Sequence, residues 1–325
     1  MLLKKALVVG IDDYDTCPLY GCVNDAEAVA DILKQNGDEE KTINFDVLKH
    51  LNVENKGHLK HLIINCFSGD AEVALFYFSG HGYVDSTGGY IVTPDCSECD
   101  VGVSMQDLLN IVNNSKCKNK VVILDCCYSG YLGQINVNQQ SSVIGDGVTL
   151  LTACRSDEPA MEFNGHGLFT SLLLEALSGG AADVTGYITP GGIYSYIDKS
   201  LGAWDQRPIF KTNISSFSPL RQVTPRVSKE VLRRLTDYFK TPDSKLLLDP
   251  SYEPTNSPVV EHKIIEPYAE SKHVKIFSDL QKLASVGLVV PLDEEHMYFA
   301  AMNSKPCRLT SAGQHYWNLV KKERI

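Results

Sequence analysis

The chain has 325 residues, 43% of them hydrophobic and 22% charged, and a formal net charge of −10 at pH 7. Since domains hold roughly 100–200 residues each, this length predicts one sizeable core and a smaller module. No apolar run approaches the roughly 20 residues of a membrane-spanning helix. The start "MLLKKALVVGIDDY" is typical of a first strand rather than of a signal peptide. These features argue against a membrane protein and against a secreted one.

Charge is unevenly distributed along the chain. Residues 1–220 hold 14 Lys and Arg against 27 Asp and Glu, a net of −13, whereas residues 221–325 hold 16 against 13, a net of +3. An acidic first part disfavours nucleic acid and suits cationic peptides, unless its acidity only maintains solubility. Ten cysteines without a secretory signal predict reduced thiols and a cytoplasmic location.

Apolar runs typical of buried strands alternate with helical patterns over the first 211 residues. The predicted strands are 5–11, 45–48, 73–79, 120–125, 148–153 and 207–211. The predicted helices are 24–37, 53–67, 104–114 and 167–180. This alternation predicts an α/β fold with a mostly parallel sheet flanked by helices on both faces. Such sheets place their functional sites at the carboxyl ends of the strands.

The sequence changes character after about residue 217. Prolines, a basic run and a helical pattern precede a Pro-rich stretch, so residues 218–272 are predicted to be a linker with one helix. Residues 273–325 follow the order helix, glycine turn, strand, acidic turn, strand, short loop and helix. This order resembles a small winged-helix module, which we expect to follow a first domain at 1–217.

Two of the predicted strands end in potentially reactive side chains. "VALFYFSGHGY" (73–83) ends with His81 between two glycines, and "KVVILDCCYSG" (120–130) ends with Cys126 and Cys127. Taken singly, such residues are usually structural, and buried cysteines behave as small hydrophobes. A histidine and a cysteine at two strand ends, 46 residues apart, are the arrangement expected of a Cys–His dyad.

These motifs resemble those of the caspase–hemoglobinase clan, and within it metacaspases and bacterial orthocaspases. The resemblance extends over residues 5–211 and includes "ALVVGIDDY", "LYGCVNDAEAVADIL", "FSGHG", "LDCCYSG", "TACRSDEPAME" and "GLFTSLLLEAL". It implies a caspase-like fold and a cysteine endopeptidase that acts on protein or peptide substrates without a cofactor. It also implies a role in regulated proteolysis, such as a defence or cell-death response.

The side-chain alternation of an extended segment selects one of the two cysteines. Asp125 and Cys127 share one face and Cys126 takes the other. The Asp-x-Cys-x-Ser-Gly pattern of the family independently selects Cys127 as the nucleophile. Its thiolate is favoured by the imidazolium of His81, and the backbone N–H groups of Gly82 and Cys127 are the predicted oxyanion donors.

The resemblance further implies that Asp25 and Asp125 clamp an Arg or Lys side chain just before the scissile bond. Each carboxylate also has a local alternative, since Asp25 is placed to cap a helix and Asp125 to make a strand-end hydrogen bond. Caspases that cleave after Asp use arginines instead, and Arg155 and Arg207 are the arginines available before residue 217. Cleavage after Asp is therefore the alternative within the same enzyme class.

A metal ion is not expected. Many metacaspases bind calcium, but the segment after the acidic stretch 95–100 lacks the expected adjacent Asp pair. Gln134 also stands where an acidic residue would follow the nucleophile. Cys96 and Cys99 form a single pair, whereas a zinc site needs four ligands.

Two readings from other functional classes stay open. An inactive caspase-like scaffold is disfavoured by the intact His81 and Cys127. A nucleic-acid-binding regulator is disfavoured because the proposed wing carries acidic residues at 293–295 and the helix before it has only Lys282 against an Asp. We therefore expect the C-terminal module to bind a protein partner.

The positions of basic residues bear on self-cleavage. No Lys or Arg lies between Lys120 and Arg155, so the loop at 128–147 offers no site to an enzyme specific for basic residues. We expect an unbroken peptidase domain, with any self-cleavage near Arg221–Lys229, where it would release the terminal module.

Overall fold

The computed structural model of the chain describes residues 3–97, 100–127, 129, 132, 144–153, 162–163, 166–202, 207–259 and 264–325. The chain divides into two compact units, Met1–Thr224 and Pro225–Ile325. Residues 218–224 thus belong to the first unit, and the rest of the segment expected to be a linker belongs to the second. No helix in the described ranges is long and apolar enough to cross a membrane.

The elements of the first unit are as follows. Its strands are β1 (Lys4–Gly10), β2 (Asp46–Leu51), β3 (Val73–Ser79), β4 (Gly82–Asp85), β5 (Gly88–Ser97), β6 (Asp100–Ser104), β7 (Asn119–Asp125), β8 (Val148–Thr152), β9 (Glu162–Phe163), β10 (His166–Gly167), β11 (Tyr187–Ile188), β12 (Ile209–Asn213) and β13 (Arg221–Gln222). Its α-helices are α1 (Cys22–Lys34), α2 (Lys56–Cys66), α3 (Met105–Asn113), α4 (Leu168–Glu175) and α5 (Pro190–Ser200).

Six of the described strands form the central sheet, in the order β12-β8-β7-β3-β1-β2. All neighbours are parallel except β12, which runs antiparallel to β8. This arrangement confirms the predicted α/β fold with a mostly parallel sheet. The central strands β3 and β7 are buried along their whole length, because helices cover both faces.

Alternate residues of β3 contact opposite layers of helices. Phe76 and Phe78 belong to the apolar cluster that includes α2 and α3. Leu75 and Tyr77 belong to the cluster that includes α1, α4 and α5. Since burying a large apolar side chain contributes roughly 1.5–3 kcal/mol, these two layers hold the strand, and therefore its carboxyl end, in a fixed position.

Strands β4, β5 and β6 form a small antiparallel sheet that sequence periodicity did not predict. It begins at Gly82, directly after the histidine motif, and its first hairpin turns at Asp85–Gly88. The segment is short and glycine-rich, so its hydrophobic pattern is too weak to indicate strands. This small sheet bears on function because it holds the chain that directly follows His81.

The second unit contains a three-stranded antiparallel sheet and several helices. Its elements are α6 (Lys229–Arg233), α7 (Leu235–Tyr238), β14 (Lys245–Leu247), α8 (Ser271–Ser285), β15 (Val289–Pro291), α9 (Met297–Met302), β16 (Pro306–Leu309) and α10 (Ser311–Lys321). The strands lie in the order β14-β16-β15. The strand expected after the acidic turn is helix α9 instead, because Met297, Ala300 and Ala301 bury one helical face at i, i+3 and i+4 spacing.

Helix α8 is the helix that was expected before the wing, and its Asp279 forms an ion pair with Arg234. Asp279 accepts hydrogen bonds from Arg234 Nε at 2.7 Å and from the Tyr238 hydroxyl at 2.5 Å. Burial disfavours the charged form, but these donors together hold the pKa of Asp279 below its ordinary value. The acidic residue in this helix therefore packs inside its own unit.

Candidate active site

The two segments predicted to be catalytic follow neighbouring parallel strands. The pairing of β3 with β7 ends at Ser79 opposite Asp125. His81 and Cys127 each follow two residues after these paired ends. The contact continues past the strands, because the Gly80 N–H donates to the carbonyl oxygen of Asp125 at 3.3 Å.

Gly82 lies directly against the backbone of Cys127. A Cβ atom at position 82 would collide with the carbonyl oxygen of Cys127 and approach the sulfur of Cys126. Only glycine permits this approach. The two residues predicted to supply the oxyanion donors are thus in backbone contact.

The two adjacent cysteines differ in exposure. Cys126 is 1% exposed and belongs to the apolar cluster on the α2 side of the sheet. Cys127 is partly exposed. The difference agrees with the alternation argument, since only the cysteine that shares a face with Asp125 reaches the surface.

Two residues of the loop after β1 orient the histidine. The Nε2 atom of His81 lies 2.7 Å from the carbonyl oxygen of Cys17. A carbonyl oxygen only accepts hydrogen bonds, so Nε2 carries a proton and donates it. In the neutral imidazole Nδ1 is then the basic nitrogen, available to take a proton from a nucleophile.

Tyr14 is a site residue that sequence analysis missed. Its hydroxyl accepts a hydrogen bond from the backbone N–H of His81 at 3.1 Å and donates one to the backbone carbonyl of Val92 at 3.3 Å. Its ring lies 4.6 Å from the imidazole, centre to centre. Burial raises the pKa of Tyr14, which keeps the hydroxyl protonated. In the sequence, the one feature that could have indicated a role for Tyr14 was a large aromatic residue within the polar stretch "IDDYD".

A cavity of about 390 Å³ opens beside the His81 ring. Its walls combine the Tyr14 loop with the small β4–β6 sheet, and its apolar surface comes from Val92, Pro94 and Val101. A substrate bound at His81 would therefore meet an apolar concave surface on this side.

Asp25 and Asp125, exposed by only 1% and 5%, converge on Gly167 at the start of α4. The Gly167 N–H donates to Asp25 Oδ2 at 3.0 Å. A Cβ atom at position 167 would collide with Asp125 Oδ2 and lie 3.2 Å from Asp25 Oδ2. The structure therefore brings together two carboxylates that are 100 residues apart in the chain.

Hydrogen bonds compensate for the burial of these two charges. The Oδ1 atom of Asp25 lies 2.7 Å from Nδ1 of His166, and its Oδ2 atom lies 3.4 Å from the hydroxyl of Ser79. Asp125 accepts from the N–H of Thr170 at 3.2 Å and from its hydroxyl at 2.6 Å. Thr170 is in the first turn of α4, where the helix dipole favours negative charge. Burial raises the pKa of Asp25, and its hydrogen bonds with Gly167, His166 and Ser79 oppose the rise.

The local alternatives for the two carboxylates have different outcomes. Asp12 is the residue that accepts from the Cys22 and Val23 N–H groups at the start of α1, at 2.9 and 3.3 Å. Capping therefore does not account for Asp25. The strand-end hydrogen bond considered for Asp125 is present, as its contacts with α4 show.

Other predicted ligands lie elsewhere or outside the described residues. Arg207 contacts Asp198 of α5 at 3.2 Å, and Arg155 is outside the described ranges. Asp95 accepts from the Lys56 N–H, and Asp100 pairs with the Lys56 ammonium at 2.7 Å. Three further positions were considered as metal ligands and also lie outside the described residues, namely Glu98, Cys99 and Gln134. The expectation of no metal stays a prediction.

The sheet, its helices and the paired strand ends define a caspase-like α/β protein. The caspase-domain family model matches residues 3–200, and the chain belongs to that family. Its fold is similar to that of the protein GSU0716 from Geobacter sulfurreducens, with a TM-score of 0.50 and 16% identity over 69% of this chain and 98% of that one. Caspase-1 from Spodoptera frugiperda is similar too, with a TM-score of 0.50 and 15% identity over 67% of this chain and 92% of that one.

No curated protein matches the chain. Membership of the caspase family makes the first unit a cysteine peptidase, a hydrolase that acts on protein substrates.

Replacing Tyr14 by Phe tests the support of His81. The hydroxyl makes two backbone hydrogen bonds, and loss of the one from the His81 N–H, worth about 1 kcal/mol, is expected to lower kcat for a fluorogenic peptide roughly five- to tenfold while KM changes little. Tyr20→Phe, at a residue that is 75% exposed, is the matched control. Equal kcat values for the two variants would contradict this role of Tyr14.

Proposed function

We propose that the first unit is an endopeptidase with a Cys127–His81 dyad that cleaves protein substrates after Arg or Lys. The observation that carries this proposal is the convergence of Asp25 and Asp125 on Gly167. Asp125 precedes Cys127 by two residues, so the paired carboxylates lie next to the nucleophile. This is where the side chain before the scissile bond would lie.

The chemistry follows from the orientation of His81. Its Nδ1 takes the thiol proton of Cys127, and the thiolate attacks the substrate carbonyl carbon. The negative charge that develops on the carbonyl oxygen is stabilised by the N–H groups of Gly82 and Cys127. The imidazolium then protonates the leaving amine, and a water molecule activated by His81 hydrolyses the acyl-enzyme.

A basic specificity follows from the charge of the pocket. Two carboxylates in a buried, low-dielectric site favour a guanidinium or ammonium group, whose donors form charge-assisted hydrogen bonds. The same carboxylates would repel an acidic side chain. Of the two arginines considered for cleavage after Asp, Arg207 contacts Asp198 instead.

The two cysteines can be separated by mutation. Cys127→Ala is expected to abolish peptide hydrolysis because the nucleophile is lost. Cys126→Ala, a matched control in the adjacent position, is expected to retain most of kcat because this sulfur is packed in the apolar cluster. Loss of activity in a correctly folded Cys126→Ala protein would refute the assignment.

The pocket is tested with Asp25→Asn and Asp125→Asn. Each change removes a charge but keeps the shape, so kcat/KM for Arg and Lys peptides is expected to fall about 10- to 100-fold, in line with roughly 1.5–3 kcal/mol for a charge-assisted contact. Asp31→Asn, at an exposed position of α1, is the control. Faster cleavage of Asp peptides than of Arg peptides by the wild type would refute a basic specificity.

We propose that the second unit is a winged-helix-like module that binds a protein. Its three-stranded antiparallel sheet, together with α8 and α10, supports a winged-helix arrangement. Asp293, Glu294 and Glu295 follow β15, and their charges would repel a nucleic-acid backbone.

Self-cleavage, if the enzyme is specific for basic residues, would fall after Arg226. Arg221 is held in β13 by hydrogen bonds from its guanidinium to the Leu177 and Gln35 carbonyls, at 2.7 and 2.9 Å. Arg226 is exposed and lies just after Thr224, the last residue of the first unit. An exposed basic side chain is what the substrate cleft of such a protease must reach first.

Intact-mass analysis of the wild type and Cys127→Ala tests this site. We expect a cut after Arg226 that Arg226→Gln prevents and Arg221→Gln does not. A cut within 128–147, most of which lies outside the described residues, would contradict both the site and the basic specificity.

A further inference from the structure

His166 covers the one Asp25 oxygen that a substrate cation would need. Asp25 Oδ2 is already engaged by the Gly167 N–H and by Ser79. Oδ1 lies 2.7 Å from His166 Nδ1. The side chain of His166 is 39% exposed and that of Asp25 only 1%, so the imidazole lies between the buried carboxylate and solvent.

We propose that His166 is a specificity-determining residue that occupies the acidic pocket as an internal cation and is displaced by the basic side chain of the substrate. This inference rests on the proposed cleavage after Arg or Lys. It assigns to β10 a role that the dyad and the two carboxylates do not require.

The exchange is a competition between two cations for one carboxylate. A protonated His166 forms an ion pair with Asp25 and neutralises one of the two buried charges. When a guanidinium takes its place, His166 loses its proton to solvent, because an imidazolium beside a bound cation is disfavoured. Binding of one basic side chain therefore releases one proton, and its affinity falls as the pH is lowered through the range in which histidine becomes protonated.

The surroundings of His166 contain no other described group that would reverse this sign. On α1 the near titratable residues are Asp25 and Cys22, and burial raises the pKa of Cys22, which keeps the thiol neutral. Asp125 of β7 approaches Gly167 as well, and its carboxylate carries a negative charge like that of Asp25. On α4 the one titratable residue is Glu175, at the far end of the helix.

The test measures cation binding without catalysis. The Cys127→Ala chain is titrated calorimetrically with N-acetyl-arginine amide between pH 5.5 and 8, in two buffers of different ionisation enthalpy. We expect Kd to weaken about tenfold from pH 7.5 to 5.5, and proton release in the acidic half of the range. With His166→Gln added, which retains a hydrogen-bond donor without a charge, we expect Kd to change less than about threefold and no proton release.

The outcomes separate this inference from the proposed function. His61→Gln, on helix α2 at the other face of the sheet, should keep the full pH dependence of Kd. If His166→Gln also keeps it, the dependence belongs to Asp25, whose pKa is raised, and the role of His166 is refuted. If the arginine amide binds at no pH, the basic pocket itself is refuted, and the inference with it.

Discussion

The parallel pairing of β3 with β7 is the constraint on which the rest of the site depends. Its register places Ser79 opposite Asp125, and the two residues that follow each strand include His81 and Cys127, the proposed dyad. Because both strands are buried on both faces, a slip of one residue would exchange the side chains that pack against the two layers of helices. Packing of the core therefore sets the relative positions of the two strand ends that carry the proposed dyad.

A second constraint is the cost of burying two carboxylates side by side. An uncompensated buried charge is strongly destabilising, so each oxygen needs donors. The start of α4 supplies them through Gly167 and Thr170, and β10 adds His166. The proposed specificity rests on the same two carboxylates, because a substrate cation that displaces His166 would take its place beside Asp25. Stability and the proposed substrate selection thus depend on one short segment.

The catalytic side is supported in a different way. His81 is held by a backbone carbonyl and a tyrosine hydroxyl, both from the loop after β1. This loop also carries Asp12, which caps α1 and so fixes the helix that holds Asp25. One loop therefore links the orientation of the imidazole to the position of the pocket, although neither of its two contacts with His81 was visible as a motif.

Sequence by itself determined the parts of this protein that depend on local pattern. Apolar runs and helical periodicity located all six strands of the central sheet, strand-end motifs located His81, Cys127 and Asp125, and the family resemblance added Asp25. The choice between Cys126 and Cys127 also followed from side-chain alternation, a purely local property. Tertiary structure alone decided which residues surround these groups. Tyr14 reaches the site from a loop, His166 from strand β10 and Thr170 from the first turn of α4, and α9 is helical where a strand was expected. Such contacts depend on how distant elements pack, and the periodicity of a single segment carries no information about them.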